Sequence, residues 1–179
     1  MLPELLNEQL RLVDGTIVKK CPTIKPLYCS QDGRFFSVHK MQITDEGCIM
    51  HELTPTFCPA ARVRNQNSAV SHGIAYPCMR HFGCRPCHHL IWETFVGPRT
   101  KGMEIDHING NITDWSLANL EEVTPAENRK RAKILRAMRK AGTDPTTIPQ
   151  SRLKAIFARY DLMDGAEQMS REISRHCEI

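Results

Sequence analysis

Apolar positions change texture along the chain. Between Thr16 and about Pro86, short β-branched and aromatic runs (TIVKK, RFFSVHKMQI, CIMHEL, ARVR, HGIAYP) alternate with Gly, Asp and Pro. Such runs between turn residues predict small antiparallel hairpins, with Gly33, Gly47, Gly73 and Gly83 as turn candidates. Ahead of them, Leu5, Leu6, Leu10 and Val13 recur at helical spacing and predict a short amphipathic helix over residues 3–13. After them, HHLIWETFVG (88–97) puts Leu90, Ile91, Trp92 and Phe95 on the bulky face of a short helix that Gly97-Pro98 ends.

The stretch EIDHINGNITDWSLANLEEVTPAEN then switches element twice. Glu104 to His107 has strand texture, and Asn109-Gly110-Asn111 is a strong turn signal. A loop runs through Asp114 and Ser116 to Asn119, and Leu120 to Val123 reads as a second strand. Thr124-Pro125-Ala126-Glu127 opens a helix: threonine caps, proline suits the first position and glutamate completes a capping box. This helix runs to about Ala141. Gly142, Asp144, Pro145 and Pro149 mark a linker, and two more short helices fit 151–163 and 165–176. The fold class is therefore α+β. Residues 1–86 form a helix and small antiparallel sheet module, 87–141 a core with a basic helix, and 142–179 a linker and helical tail.

The unit of strand, loop, strand and helix brings strand-borne Asp106 and helix-borne Asn128 to one point. A carboxylate and an amide carbonyl are hard oxygen donors, suited to one Mg²⁺ or Mn²⁺ ion and not to zinc. Adjacent strand residues face opposite ways, so His107 does not share that ion and is free to act as a base. An imidazole, titrating near pH ~6.5, can take a proton from an attacking water at neutral pH. The chemistry these groups support is one-metal hydrolysis of a phosphodiester.

Composition adds a partner. The chain of 179 residues is 41% hydrophobic, enough for a core, and carries a net charge of +4. Arg129, Lys130, Arg131, Lys133, Arg136, Arg139 and Lys140 follow Asn128 with no acid among them, whereas residues 150–179 balance five bases with five acids. A concentrated cationic stripe beside the proposed site points to nucleic-acid phosphates. No run approaches the roughly 18 apolar residues a membrane helix needs. The start, MLPELLNEQLRLVDG, has acids where a secretory signal has cations. The expectation is a cytoplasmic chain without a membrane partner, its eight cysteines reduced or metal-bound and not in disulfides. Cys78, Cys84, Cys87 and His88 form C-x5-C-x2-C-H, a poor zinc spacing, so structural zinc is not expected.

DHINGN, ANLEEVTPAEN and the preceding HHLIWETFVGP together closely resemble the HNH endonuclease family, especially the phage and intron homing type, a ββα-metal nuclease. The resemblance is strong over residues 87–130 and places the His-Asn-Asn pattern on His107, Asn119 and Asn128. It implies that His107 is the general base, that Asp106 and Asn128 bind the metal, and that Asn119 pins the loop through backbone hydrogen bonds. It further implies double-stranded DNA as the substrate, in a bacterial or phage-infected cell. YCSQDGRFFS (28–37) looks like the small sheet module that often precedes such nucleases. Trp115 departs from the pattern, standing where relatives usually have a second asparagine. Three other readings stay open: a catalytically retired DNA-binding protein of this fold, a restriction or phage-packaging HNH nuclease, and a zinc-stabilised interaction module. The tail fits a helix-turn-helix and two ordinary packing helices equally well.

Overall fold

The computed structural model describes residues 8–57, 77–79 and 84–160. The expected run at 61–64, Gly73, Gly83 and the helix at 165–176 lie outside the described residues. The chain divides into two compact units, Met1–Pro98 with Ile112–Ala118, and Arg99–Asn111 with Asn119–Ile179. Antiparallel sheets and helices in comparable measure make the fold α+β. Among the described residues no helix is long and apolar enough to cross a membrane.

The first unit contains five antiparallel strands in sequence order: β1 (Gln9–Arg11), β2 (Ile17–Lys20), β3 (Leu27–Ser30), β4 (Phe35–Thr44) and β5 (Gly47–Leu53). β1 replaces the described part of the helix expected over 3–13. Exposure along Gln9, Leu10, Arg11 and Leu12 declines from exposed to buried with the odd-numbered pair outward, and Leu10 pairs with Val18 across the ladder. The apolar spacing there satisfies a period of two as well as a helical one, and the neighbouring strand decides between them. The sheet curls until β5 meets β1, where Val13 N–H donates to Cys48 O at 3.1 Å. Gly47 permits this approach: its φ is +145°, and a Cβ there would lie 2.9 Å from Arg11 O.

Leu12, Val18, Tyr28, Phe36 and Cys48 fill the inside of the curl. Every residue of β3 is buried, because helix α1 (Cys87–Phe95) covers its other side. The buried stripe of α1 is Cys87, His88, Leu90, Ile91 and Thr94, while Trp92 and Phe95 are half-buried, a rotation of the apolar face expected from sequence. A three-stranded sheet of β6 (Thr56–Phe57), β7 (Pro77–Met79) and β8 (Arg85–Pro86) leads into α1.

Residues 112–118 cluster with this unit, and Trp115 explains how. Its indole Nε1 donates to Gly33 O at 2.6 Å, and Leu117 N donates to Gln31 O at 2.8 Å. Gly33 is the turn residue beneath the ring, at φ +94°.

In the second unit, β9 (Glu104–His107) pairs antiparallel with β10 (Leu120–Val123). Helices α2 (Pro125–Lys140) and α3 (Gln150–Tyr160) enclose a core of Ile108, Ile134, Leu135, Met138, Leu153, Phe157 and Tyr160. Thr124 caps α2 as expected, its Oγ1 accepting from Glu127 N at 3.1 Å. The Glu127 carboxylate turns instead to Arg131, one helical turn on.

A Cβ at Gly33 would stand 2.8 Å from Trp115 Cδ1 on a backbone that disfavours side chains. Gly33→Ala is therefore expected to cost about 1–3 kcal/mol, read as a lowered urea midpoint. An unchanged midpoint would contradict the Trp115 contact.

Candidate active site

The β9–β10 register sorts the charged side chains by face. Asp106 lies opposite Glu121, and Glu104, two residues back along β9, shares their side. Ile105 and His107 occupy the other side, His107 opposite Leu120. Both Ile105 and His107 are buried, His107 to 5% exposure, whereas Glu104 and Asp106 are half-buried. The expected separation of Asp106 from His107 by strand alternation is thus present.

Helix α2 crosses the carboxylate face. Asn128 Nδ2 donates to Glu104 Oε2 at 2.7 Å, and Arg131 Nη1 stands 3.8 Å from Asp106 Oδ2. Glu104 and Asp106 are about 7 Å apart along a strand, and Asn128 and Arg131 about 4.5 Å apart along a helix. Asn128 and Asp106 are thus each tied to the same helix–strand pairing, Asn128 through Glu104 and Asp106 through Arg131. Asp106 Oδ2 itself is buried and accepts no hydrogen bond.

Arg131 binds this face together. Its Nε donates to Glu127 Oε1 at 2.8 Å, and its Nη1 to Glu121 Oε2 at 2.5 Å. Its guanidinium carbon lies 4.9 Å from the centre of the Phe157 ring, and its side chain is only 11% exposed. Lys154 of α3 adds a 2.9 Å bond to Glu121 Oε1. Arg131 therefore departs from the expected DNA-contacting set, since its Nε and Nη1 face carboxylates of its own chain.

Burial is the main influence on Asp106 and lifts its carboxyl from 3.8 to about 6. Glu121 and Glu104 push the same way, against Arg131 and the backbone N–H of His107. Burial also works to raise Glu121, but hydrogen bonds from Lys154 and Arg131 outweigh it and hold that carboxyl low. Four carboxylates (Glu104, Asp106, Glu121, Glu127) thus meet two cations (Arg131, Lys154) on this face.

Asn119 is wholly buried and holds the turn after β9. Its Oδ1 accepts from Asn109 N at 3.0 Å, and its Nδ2 donates to Asn109 Oδ1 at 2.9 Å. Its backbone carbonyl accepts from Ile108 N at 2.9 Å.

The other cations separate by helical angle. Arg129, Lys133, Arg136 and Lys140 recur at spacings of four, three and four, which puts them on one exposed stripe opposite Ile134, Leu135 and Met138. Arg139 is exposed but reaches the turn, Nη2 lying 3.2 Å from Gly110 O. Lys130 is half-buried.

Of the cysteine cluster, Cys84 is exposed, and burial pushes the Cys87 thiol up to about 12. Cys78 is disulfide-bonded, against the expectation of cysteines reduced or metal-bound, and a disulfide sulfur offers no thiolate to a metal. Among the described residues no group of three or more His, Cys, Asp or Glu side chains could hold a metal ion.

Sequence reasoning missed Glu104, Glu121 and the inward Arg131. Each left a signal: Glu104 is two residues from Asp106 on a strand, and Glu127-Arg131 has the spacing of a helical ion pair.

Residues 85–130 match the model of the HNH endonuclease family. The chain is similar to the SPbeta prophage-derived protein YosQ of Bacillus subtilis (strain 168), named as a candidate HNH homing endonuclease, with 33% identity over 79 residues, 44% of this chain and 46% of YosQ. Protein 3.8 of Escherichia phage T7 is 42% identical over 50 residues, 27% of this chain and 41% of the phage protein. The chain thus spans less than half the length of these relatives. No solved structure matches it.

A carboxyl whose folded pKa lies above its unfolded value holds its proton more tightly when folded. The stability Asp106 contributes is therefore full below about 3.8 and lost as pH rises through about 6. At about 1.4 kcal/mol per pH unit, that is on the order of 2–3 kcal/mol. With chelator present, Asp106→Asn is expected to unfold at a higher temperature than wild type at pH 7.5, the gap closing by pH 4. Equal midpoints at pH 7.5 would contradict a disfavoured carboxylate.

Proposed function

We propose that the chain is a divalent-metal-dependent DNA endonuclease of the homing type, hydrolysing phosphodiester bonds to nick or cut double-stranded DNA. The observation that carries this reading is the buried Asp106 Oδ2, without a hydrogen-bond donor, on the face crossed by Asn128. An acceptor in that state fits a cation, and the surplus of two negative charges around it fits a divalent one. Asp106 and the Asn128 amide oxygen would hold one Mg²⁺ or Mn²⁺ ion. Two protein donors, both oxygen, leave room for phosphate oxygens and water.

Bound there, the ion would stabilise negative charge growing on the phosphate and on the leaving oxygen. The remaining work falls to the chain. His107 takes the proton from the attacking water as its oxygen bonds to phosphorus and the bond to the leaving oxygen breaks. Asn119 fixes the turn that follows His107. Arg129, Lys133, Arg136 and Lys140 hold the DNA backbone, with Lys130 beside them on the helix and Arg139 nearer the turn. These contacts read no sequence. The homing assignment draws on the name given to YosQ and on the antiparallel sheet ahead of the domain.

Supercoiled plasmid incubated with the wild type is expected to give nicked or linear product with Mg²⁺ or Mn²⁺ and none with chelator. His107→Ala is expected to lose at least about 10²-fold in rate. Cleavage by His107→Ala at the wild-type rate would remove the assigned base. Metal-independent binding without cleavage would identify a DNA-binding protein instead.

The stripe gives a separate test. Lys133→Ala and Arg136→Ala should each lower the slope of log affinity against log salt by about 1. Arg131→Ala should leave the slope unchanged while lowering the unfolding midpoint. A slope change at Arg131 equal to that at Lys133 would reverse their assigned roles.

A further inference from the structure

We infer that Glu104 is a positioning residue for the metal, orienting the amide of Asn128 so that its oxygen is presented to the ion. The inference rests on the metal reading above. An asparagine amide can turn either of two ends toward a site, and only the oxygen binds a cation; the NH₂ end repels it. The two orientations have nearly the same shape, so packing alone selects weakly between them. A neighbouring carboxylate selects strongly, because when ionised it can only accept.

Glu104 supplies that carboxylate. Its Oε2 accepts from Asn128 Nδ2 at 2.7 Å, within the short range of a charge-assisted hydrogen bond. Flipping the amide would bring Oδ1 against a carboxylate oxygen, two acceptors in contact. The bond therefore commits Nδ2 to Glu104 and leaves Oδ1 as the end that Glu104 does not hold. Strand alternation provides the placement: Glu104 and Asp106 are two apart on β9 and face the same way, beneath the first turn of α2. Asp106 serves the ion directly, and Glu104 serves it through Asn128.

Carboxylates that orient a metal ligand in this way are typically worth about 10–100-fold in metal affinity. Mn²⁺ binding, followed through the electron paramagnetic resonance of the free ion without DNA, reads this independently of cleavage. Glu104→Ala is expected to weaken binding about 10–100-fold, with circular dichroism reporting whether the fold persists. Glu104→Gln keeps an acceptor but can also donate, so it should fall between alanine and wild type. In an Asn128→Ala background, Glu104→Ala should change nothing further, because no amide remains to be oriented.

Full additivity of the two substitutions would overturn the inference, showing that Glu104 acts on the ion itself. Wild-type affinity in Glu104→Ala would overturn it equally, while leaving the metal reading intact. If wild-type protein binds no Mn²⁺ in a manner dependent on Asp106, the metal reading falls and the inference with it.

Discussion

The guanidinium of Arg131 reconciles a group of carboxylates that would otherwise repel one another. It reaches Glu127 on its own helix, Glu121 on β10 and Asp106 on β9, and lies over Phe157 of α3. Four elements are thereby tied through one side chain. Lysine could not substitute, since a point charge has neither the planar fork nor the stacking surface. Removing one partner of a buried ion pair typically costs about 3–5 kcal/mol. Exposed pairs such as those Arg34 makes with Asp14 and Asp32 are each worth about 0–1 kcal/mol. Arg131 nevertheless holds Asp106 only at 3.8 Å, and without a hydrogen bond. The pairing gathers the acids while leaving one oxygen unsatisfied, a combination better suited to a binding site than to a finished structural core.

A second constraint acts on the turn. Asn119 uses both ends of its buried amide on Asn109, whose Oδ1 also accepts from Asn111 N at 2.8 Å. Gly110 N donates to His107 O at 2.7 Å, and Gly110 sits at φ +66° with Leu135 and Arg139 closely packed around it. A turn so thoroughly bonded has little freedom, and it begins at the carbonyl of the residue assigned as base. The amides here set backbone direction, while the assigned chemistry falls to the imidazole and the carboxylate.

Much of this was legible in the sequence because local signals agreed with each other. Thr124-Pro125 announced α2, Asn109-Gly110 announced the turn, and alternation alone separated Asp106 from His107. The segment Leu5–Val13 misled, since its spacing suits a helix and a strand alike and only the pairing of Leu10 with Val18 settles the described part. Arg131 misled for a different reason. A run of cations does not state which members point inward; that depends on the helix phase set by Ile134, Leu135 and Met138 and on acids contributed by β10. Trp115 was visible as an anomaly but not as a ligand of Gly33 O, because that partner lies 82 residues away. Long-range pairing is the information a linear pattern carries least well.

The hairpin also suits two adjacent residues to the different parts proposed for them. In the middle of a long strand, Asp106 and His107 would be held on opposite faces of a continuous ladder with no common approach. β9 instead ends at His107, and its carbonyl already belongs to the turn. Asp106 keeps the company of α2 and its charges, while the imidazole stands at the end of the ladder. For the proposed nuclease, a phosphate reaching the end of β9 would have the carboxylate on one side and the base on the other, each in a different electrostatic environment. The chemistry needs that difference: the carboxylate must remain charged to serve a cation, whereas the imidazole must be neutral to accept a proton. The pleat keeps the two apart, and the turn brings both to the same end of the strand.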